Sequence, residues 1–265
     1  MTQTRLATPV LMLHHVEPPP LSPPPLHADS YLPRRELAAL LDVLAGRGYR
    51  TWTLAEAAER AWDGRPLPGK SVVLTFDDGC RCFLDHAWPE LQPRGMTATL
   101  FAVSAELGGI NRWDRAAGER EERLLGAADL ARLAAAGVEI GSHGRTHRDL
   151  TSCSAVELAD EVTASRAELA DAAGAPVRTF CYPYGRLDLR AREAVRAAGY
   201  LAAVSIHGQA GARAGDPHAL PRMIVKPGES RFELLLKASG AYSWWSRLPR
   251  FGLLSALRRR RSARA

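Results

Sequence analysis

The sequence lacks several features that define common classes of protein. Its four cysteines include a C-x-C pair, Cys80 and Cys82, but no C-x-x-C pair, which argues against a zinc ribbon and a thioredoxin-type site. No run approaches the roughly 18 apolar residues of a membrane-spanning helix. The first residues also lack the charged and apolar regions of a secretory signal. We therefore expect a cytoplasmic protein with reduced thiols.

A basic stripe interleaved with aromatic residues, typical of nucleic-acid-binding surfaces, is also missing. The formal net charge is +6, but the basic excess is concentrated at the end, in LRRRRSARA. We therefore expect no nucleic-acid partner and predict one domain over residues 1–235, followed by a basic tail over 236–265. Trp244, Trp245 and Phe251 accompany the arginines, so the tail could contact the inner membrane surface. The favoured interpretation is a final helix packed on the domain with a frayed basic end.

The sequence does contain an alternation of short apolar runs and amphipathic stretches. SVVLTF (71–76) and VEIGSH (138–143) predict strands, whereas RRELAALLDVLAG (34–46) has leucines at helical spacing and predicts a helix. Alternation of this kind along most of the chain implies right-handed crossovers and a parallel sheet. About seven such units at this length favour an α/β fold closed as a barrel.

Polar residues follow several of the predicted strands directly. In parallel α/β folds the carboxyl ends of the strands meet on one face, where reactive groups collect. We therefore expect one face of the sheet to gather the following groups: His14 and His15, Asp77 and Asp78, His143 with His147, residues 182–185, and His207.

Two of these groups have the composition of a metal-dependent hydrolytic site. The adjacent aspartates of LTFDDG project in different directions, so one can bind a metal while the other stays free as a base, although Asp-Asp-Gly alone is also an ordinary turn. SHGRTH supplies two imidazoles that can converge on the same ion. A bound ion lowers the pKa of water toward about 7 and polarises a carbonyl, while hydrolysis also needs a base and an acid. Asp77 is the candidate base, and a histidine is the natural acid.

LTFDDG, SHGRTH and FCYPYG, in this order, resemble the first three motifs of the polysaccharide deacetylases, the NodB-type carbohydrate esterases of family four. The resemblance implies a distorted (β/α)7-type barrel and a hydrolase that removes N-acetyl groups from sugars. It also implies that Asp77 is the base and that Asp78, His143 and His147 hold a divalent ion. Zinc is the first choice of ion, with cobalt, manganese, nickel or iron as alternatives. The backbone N–H of Tyr184 would help to hold the oxyanion.

Two departures from the family pattern matter. Cys181 stands where the third motif usually has an arginine that orients the base, and Arg222 is the candidate replacement. The usual late strand that carries the general-acid histidine is also missing, whereas VLMLHH at the amino terminus has its signature. The chain therefore resembles a circularly permuted branch, the poly-N-acetylglucosamine deacetylases. On this interpretation His14 is the acid, His15 points elsewhere and His207 is the alternative.

The substrate and one long loop remain open. Trp113 and Asp114 lie in a loop that either borders a sugar site or is anchored by a buried tryptophan. Without an export signal, we expect a lipid-linked or nucleotide-linked sugar rather than an external polymer. The alternatives are a hydrolase of the same fold that cleaves a non-sugar C–N bond, and a barrel that binds carbohydrate without catalysis.

Overall fold

A computed structural model of the chain describes residues 6–17, 25–115, 118–206 and 215–241. His207, Trp244, Trp245, Phe251 and the arginines of the predicted tail lie outside these ranges, so the predictions made for them stay predictions. Within the described ranges, no helix is long and apolar enough to cross a membrane.

The central feature is a closed barrel of seven parallel strands, as the sequence predicts. The described strands are Val10–Leu13 (β1), His15–Glu17 (β2), Tyr31–Pro33 (β3), Tyr49–Trp52 (β4), Lys70–Phe76 (β5), Thr99–Ala102 (β6), Glu139–Ser142 (β7), Thr179–Cys181 (β8), Ala202–Ile206 (β9) and Leu220–Ile224 (β10). Around the barrel the order is β1, β5, β6, β7, β8, β9 and β10, with β10 pairing back onto β1. One edge of β5 is shared, because β4 pairs with its first half and β6 with its last residues. A separate parallel pair is formed by β2 and β3.

The first strand of the chain closes this barrel. In β1, Leu11 pairs with Met223 of β10 on one side and with Leu74 of β5 on the other. All four residues of β1 are buried, which its uninterrupted apolar sequence requires. An amino-terminal strand therefore occupies the position between the last strand and the first central strand, and it brings His14 to the carboxyl end of the barrel.

Helices cover the outside of the barrel and bury their leucine faces against it. The helices are Arg34–Gly46 (α1), Leu54–Trp62 (α2), Trp88–Leu91 (α3), Arg112–Arg115 (α4), Ala127–Ala135 (α5), Ala155–Ala159 (α6), Ser165–Ala173 (α7), Leu189–Ala197 (α8) and Arg231–Ala238 (α9). A π-helical turn precedes α3, and another, Asp160–Ala164, joins α6 to α7. The last helix of the described residues, α9, packs against α1 and extends past residue 235, the predicted end of the domain.

The helix α2, which the sequence does not predict, lies near the amino end of the barrel. Its first turn has a capping box made by Thr53 and Glu56. The next two backbone N–H groups bond to barrel side chains: Leu54 N–H donates to Thr99 Oγ1 at 2.8 Å, and Ala55 N–H donates to Glu139 Oε2 at 3.0 Å. The buried face of α2 consists of Leu54 and three alanines, so it lacks the run of leucines that marks α1.

Candidate active site

A cavity of about 200 Å³ lies where the barrel strands end, on the face that the sequence predicts. A larger cavity, of about 600 Å³, lies at the amino ends of the strands, but no histidine, cysteine or carboxylate is among its described lining residues. The chemistry is therefore concentrated at the carboxyl end. The smaller cavity brings together every residue predicted for the site: His14, Asp77, Asp78, Trp113, Asp114, His143, His147, Tyr184 and Arg222.

Asp78 and the two histidines of SHGRTH converge on one point. Asp78 Oδ1 lies 3.4 Å from His143 Nε2 and 3.4 Å from His147 Nε2. Tetrahedral ligands at bond lengths of about 2.1 Å lie about 3.4 Å from one another. Two imidazoles and one carboxylate form a donor set that suits zinc and other divalent transition metals. The three side chains therefore fit a divalent ion.

The surroundings of these three residues hold their donor atoms in place. His143 Nδ1 lies 2.8 Å from the backbone carbonyl of Cys181, which fixes the tautomer that leaves Nε2 free to bind a metal. Trp113 stacks on the His147 ring at 4.5 Å. Burial raises the pKa of Asp78, but the hydrogen bonds from both histidines outweigh it and hold that pKa well below its usual value. The carboxylate is therefore ionised, as a ligand must be.

Backbone strain is also concentrated at this site. Among the described residues other than glycine, positive φ angles occur at Asp78 (71°), His147 (60°) and Tyr184 (58°). Such conformations cost on the order of 1–3 kcal/mol each and persist where the surrounding structure enforces them. All three residues line the cavity, so the loops are bent to aim these groups into it.

Asp77 turns away from its neighbour and pairs with Arg222. Arg222 Nη1 donates to Asp77 Oδ1 at 2.6 Å, and Nη2 donates to Oδ2 at 2.8 Å. Both residues are almost fully buried. Burial raises the pKa of Asp77, yet the Arg222 charge and hydrogen bonds, together with His14, bring the pKa below its usual value. Asp77 is thus a buried, ionised carboxylate in a fixed orientation.

Cys181 occupies the position that the family pattern gives to an arginine, and its size explains the exchange. Its Sγ lies 3.0 Å from Arg222 Nη2 and 3.7 Å from Asp77 Oδ2, so the small thiol leaves room for the guanidinium that arrives from β10. Further hydrogen bonds from Arg222 to Thr75 Oγ1 and the Ser205 carbonyl fix the guanidinium. The guanidinium therefore orients Asp77 from a different strand.

His14 directly follows β1 and lies beside Asp77 at the cavity. Its Nε2 is 3.6 Å from Asp77 Oδ2, and its side chain keeps 23% of its exposure. Burial lowers the pKa of His14 more than the nearby Asp77 and Asp78 charges raise it. The imidazole is therefore neutral at neutral pH. His15 points away from Asp77 and stacks on Tyr31 with ring centroids 4.3 Å apart.

Several residues of the cavity wall carry no signal in the sequence. His27, Tyr31 and Glu119 line the cavity, and His27 Nδ1 lies 2.7 Å from Glu119 Oε2. The parallel pairing of β2 with β3 brings this segment to the cavity. Nothing in the local sequence marks either short strand, because each has only three residues.

The arrangement defines a class of protein: a parallel α/β barrel with a His-His-Asp set that fits a divalent ion, beside a second, buried carboxylate. Comparison with known proteins agrees. A family model described as "Polysaccharide deacetylase" matches residues 64–203. YxkH of Bacillus subtilis (strain 168), named as a polysaccharide deacetylase, is 27% identical over 211 residues, which cover 80% of this chain and 70% of that protein.

Two further comparisons give a solved structure and a named N-deacetylase. The structure of IcaB from Ammonifex degensii superposes with a TM-score of 0.69 at 25% identity, covering 87% of this chain and 96% of that chain. A segment of 49 residues is 45% identical to the poly-β-1,6-N-acetyl-D-glucosamine N-deacetylase of Escherichia coli (strain K12). That segment covers 18% of this chain and 7% of that protein.

The chain belongs to the polysaccharide deacetylase family, since the family model covers more than half of it. This confirms the predicted NodB-type resemblance, the distorted barrel and the class of enzyme, a carbohydrate deacetylase.

Proposed function

We propose that the protein is a metal-dependent hydrolase that removes the acetyl group from an N-acetylated sugar and releases acetate. The observation that carries the proposal is the separation of the two adjacent aspartates. Asp78 joins His143 and His147, whereas Asp77 pairs with Arg222 and faces His14. One set of side chains can hold an ion, and the other can move a proton.

The first step is the attack of water on the acetamide carbonyl, and the ion-binding residues and the base have separate roles in it. A divalent ion held by Asp78, His143 and His147 supplies Lewis-acid polarisation of the acetamide carbonyl and acidifies water. Asp77 takes the proton from the attacking water, since Arg222 keeps the Asp77 carboxylate ionised and oriented. The backbone N–H of Tyr184, at the rim of the cavity, donates to the oxyanion.

Collapse of the tetrahedral intermediate requires a proton on the departing amine. His14 supplies this proton, because it lines the cavity next to Asp77. A neutral His14 has no excess proton at the start of the cycle, but Asp77 Oδ2 is only 3.6 Å from His14 Nε2. The proton that Asp77 takes from water therefore passes to His14 and then to the amine nitrogen, so no net proton is consumed.

The size of the cavity limits what enters it. About 200 Å³ is below the usual range of about 300–1,000 Å³ for small-molecule sites. It suits the acetamido group and its sugar ring, with the rest of the substrate outside. Trp113 and the half-exposed Tyr184 present aromatic rings at the cavity. The proposed substrate is therefore a larger N-acetylated glycan or a lipid- or nucleotide-linked sugar, and the proposed location is cytoplasmic.

Acetate release tests the reaction and the acid together. The metal-repleted protein is assayed against N-acetylated oligosaccharides, lipid-linked and nucleotide-linked sugars, and non-sugar amides. We expect acetate from a sugar substrate and a fall in kcat of about 10²- to 10⁴-fold for His14→Ala, because the amine then leaves unprotonated. A His14→Ala enzyme with normal metal content and rate, together with an inactive His207→Ala enzyme, would transfer the acid role to His207. Activity on non-sugar amides alone would refute the sugar proposal.

Metal binding is expected to stabilise the fold. At Mn²⁺ concentrations 100-fold above the dissociation constant, the free energy of unfolding should rise by about 2.7 kcal/mol. For a domain of this size that corresponds to a rise in Tm of roughly 5–11 °C. His143→Ala should abolish the shift, whereas His86→Ala, outside the described cavity lining, should keep it. Mn²⁺ is chosen because cysteine thiolates bind it poorly, so the cysteines of the chain do not compete with Asp78, His143 and His147 for the ion. An equal shift in His143→Ala would place the ion elsewhere.

A further inference from the structure

A cluster of thiols and one imidazole lies beside Asp78 and takes no part in the mechanism above. It consists of Cys80, Cys82 and His15, which are all buried, with exposed fractions of 1%, 6% and 5%. Buried cysteines are common as small apolar residues. Here the two cysteines pack with Leu124, but a histidine nitrogen also lies next to one of the thiols.

Donor atoms of three residues, His15, Cys80 and Asp78, are close enough to share one ion, and Cys82 lies beside them. Cys82 Sγ is 4.0 Å from His15 Nδ1. Cys80 Sγ, a His15 ring nitrogen and an Asp78 carboxylate oxygen all lie within 4.8 Å of one another. In a tetrahedral zinc site, with bonds of about 2.3 Å to sulfur and about 2.1 Å to nitrogen, sulfur and nitrogen are about 3.6 Å apart. A contraction of a few tenths of an ångström therefore brings Cys82 and His15 to ligand spacing.

The fold holds these side chains in place before any ion arrives. The His15 ring stacks on Tyr31, whose hydroxyl donates to Glu122 at 3.1 Å. Cys80 forms an antiparallel bridge with Leu124, which fixes the backbone on the other side of the cluster. His15 also lines the cavity, so an ion can reach the cluster from the same opening as the substrate.

We propose that His15, Cys80 and Cys82, with Asp78 as the fourth ligand, form a second metal site that takes a soft divalent ion such as Zn²⁺ or Cd²⁺. Two thiolates and one imidazole select such ions over Mn²⁺ or Mg²⁺. Since Asp78 belongs to both sets, soft metals bound here would lie next to the proposed catalytic ion.

Cobalt substitution of the full chain tests the proposal without an activity assay. Co²⁺ bound to thiolate gives a near-ultraviolet charge-transfer band that histidine and carboxylate ligands do not give. We expect two equivalents of Co²⁺ in the metal-stripped protein, together with this band. Cys80→Ser/Cys82→Ser should lose the band and one equivalent, whereas His143→Ala/His147→Ala should lose the other equivalent and keep the band.

Controls among the remaining cysteines make the assignment specific. Cys153→Ala, at a buried cysteine outside the cavity lining, should keep the band. Cys181 is the rival ligand, because its sulfur groups with Asp77 and His143. A band that survives in Cys80→Ser/Cys82→Ser and disappears in Cys181→Ala would overturn the proposal, as would the absence of any band in the wild type. His15→Gln leaves both thiols in place and should weaken Co²⁺ binding at this site at least tenfold. This single variant tests the site if Cys80→Ser/Cys82→Ser does not fold.

Discussion

Asp77→Asn is expected to lower kcat by about 10²- to 10⁴-fold while metal binding is retained. The amide has nearly the shape of the carboxylate but cannot accept the proton of the attacking water. It also removes the group from which His14 receives its proton, since the two side chains are only 3.6 Å apart. Steady-state kinetics of acetate release, with the metal content measured on the same samples, give the comparison.

Two controls separate chemistry from folding in this experiment. The neutral amide leaves the Arg222 charge buried without an anionic partner, so kinetics should be measured where circular dichroism shows that the variant is folded. Asp85→Asn removes a carboxylate from a half-exposed pair with Arg81, outside the described cavity lining, and should keep the wild-type rate. A folded, metal-replete Asp77→Asn enzyme with near-normal kcat would exclude Asp77 as the base.

Much of the site was accessible from the sequence because its chemistry is local. LTFDDG and SHGRTH each follow a buried strand, and the rule that parallel strands end on one face brings them together. The same rule placed His14 beside Asp77 once the first strand was interpreted as the closing strand. Two short motifs at the ends of parallel strands are therefore enough to predict that Asp78 meets both histidines, whose Nε2 atoms each lie 3.4 Å from Asp78 Oδ1.

What the sequence could not supply depends on contacts between distant residues. Arg222 is 145 positions from Asp77, so the sequence offers it only as a candidate for the missing motif arginine, and the paired geometry comes from the fold. The three-residue strands β2 and β3 are too short for any periodicity, yet their pairing stacks His15 on Tyr31 and brings His15 to Cys82. The C-x-C pair lacked the spacing of a known metal motif. Its partner histidine comes from a strand far earlier in the chain.

Arg222→Leu is expected to lower the free energy of unfolding by about 3–5 kcal/mol at pH 7, measured by denaturant unfolding in the presence of a chelator. Removal of one member of a buried pair leaves the other as an uncompensated buried charge. Arg222 also bonds to Thr75 and to the Ser205 carbonyl, so two further polar groups lose a partner. Arg222→Lys keeps the charge but cannot make two parallel bonds, and it should cost less.

The dependence on pH identifies Asp77 as the cause of this loss. In the wild type the pKa of Asp77 is below its usual value, so its contribution to stability is full above about pH 4, the pKa of the unfolded chain, and is lost as the pH falls through the folded pKa. In Arg222→Leu, burial acts without the guanidinium and raises that pKa. The destabilisation of Arg222→Leu therefore increases as the pH rises from about 4 to the raised pKa of Asp77 in the folded variant, because the unfolded chain ionises this carboxyl first. The difference between the two proteins should therefore be largest near neutral pH and shrink on acidification.

A double-mutant cycle separates the effect of charge from that of packing. In Arg222→Leu/Asp77→Leu no buried charge remains, so the pair of substitutions should cost less than Arg222→Leu alone, because apolar replacement of a buried ion pair is often neutral. The opposite result is an Arg222→Leu variant that is equally destabilised at pH 7 and pH 4 and is not rescued by Asp77→Leu. It would mean that Arg222 stabilises the fold by packing against Phe101, whose ring centroid lies 5.7 Å from the guanidinium, and not by holding the charge of Asp77. Rescue with loss of the pH dependence would show that the guanidinium replaces the missing motif arginine by holding the charge of Asp77.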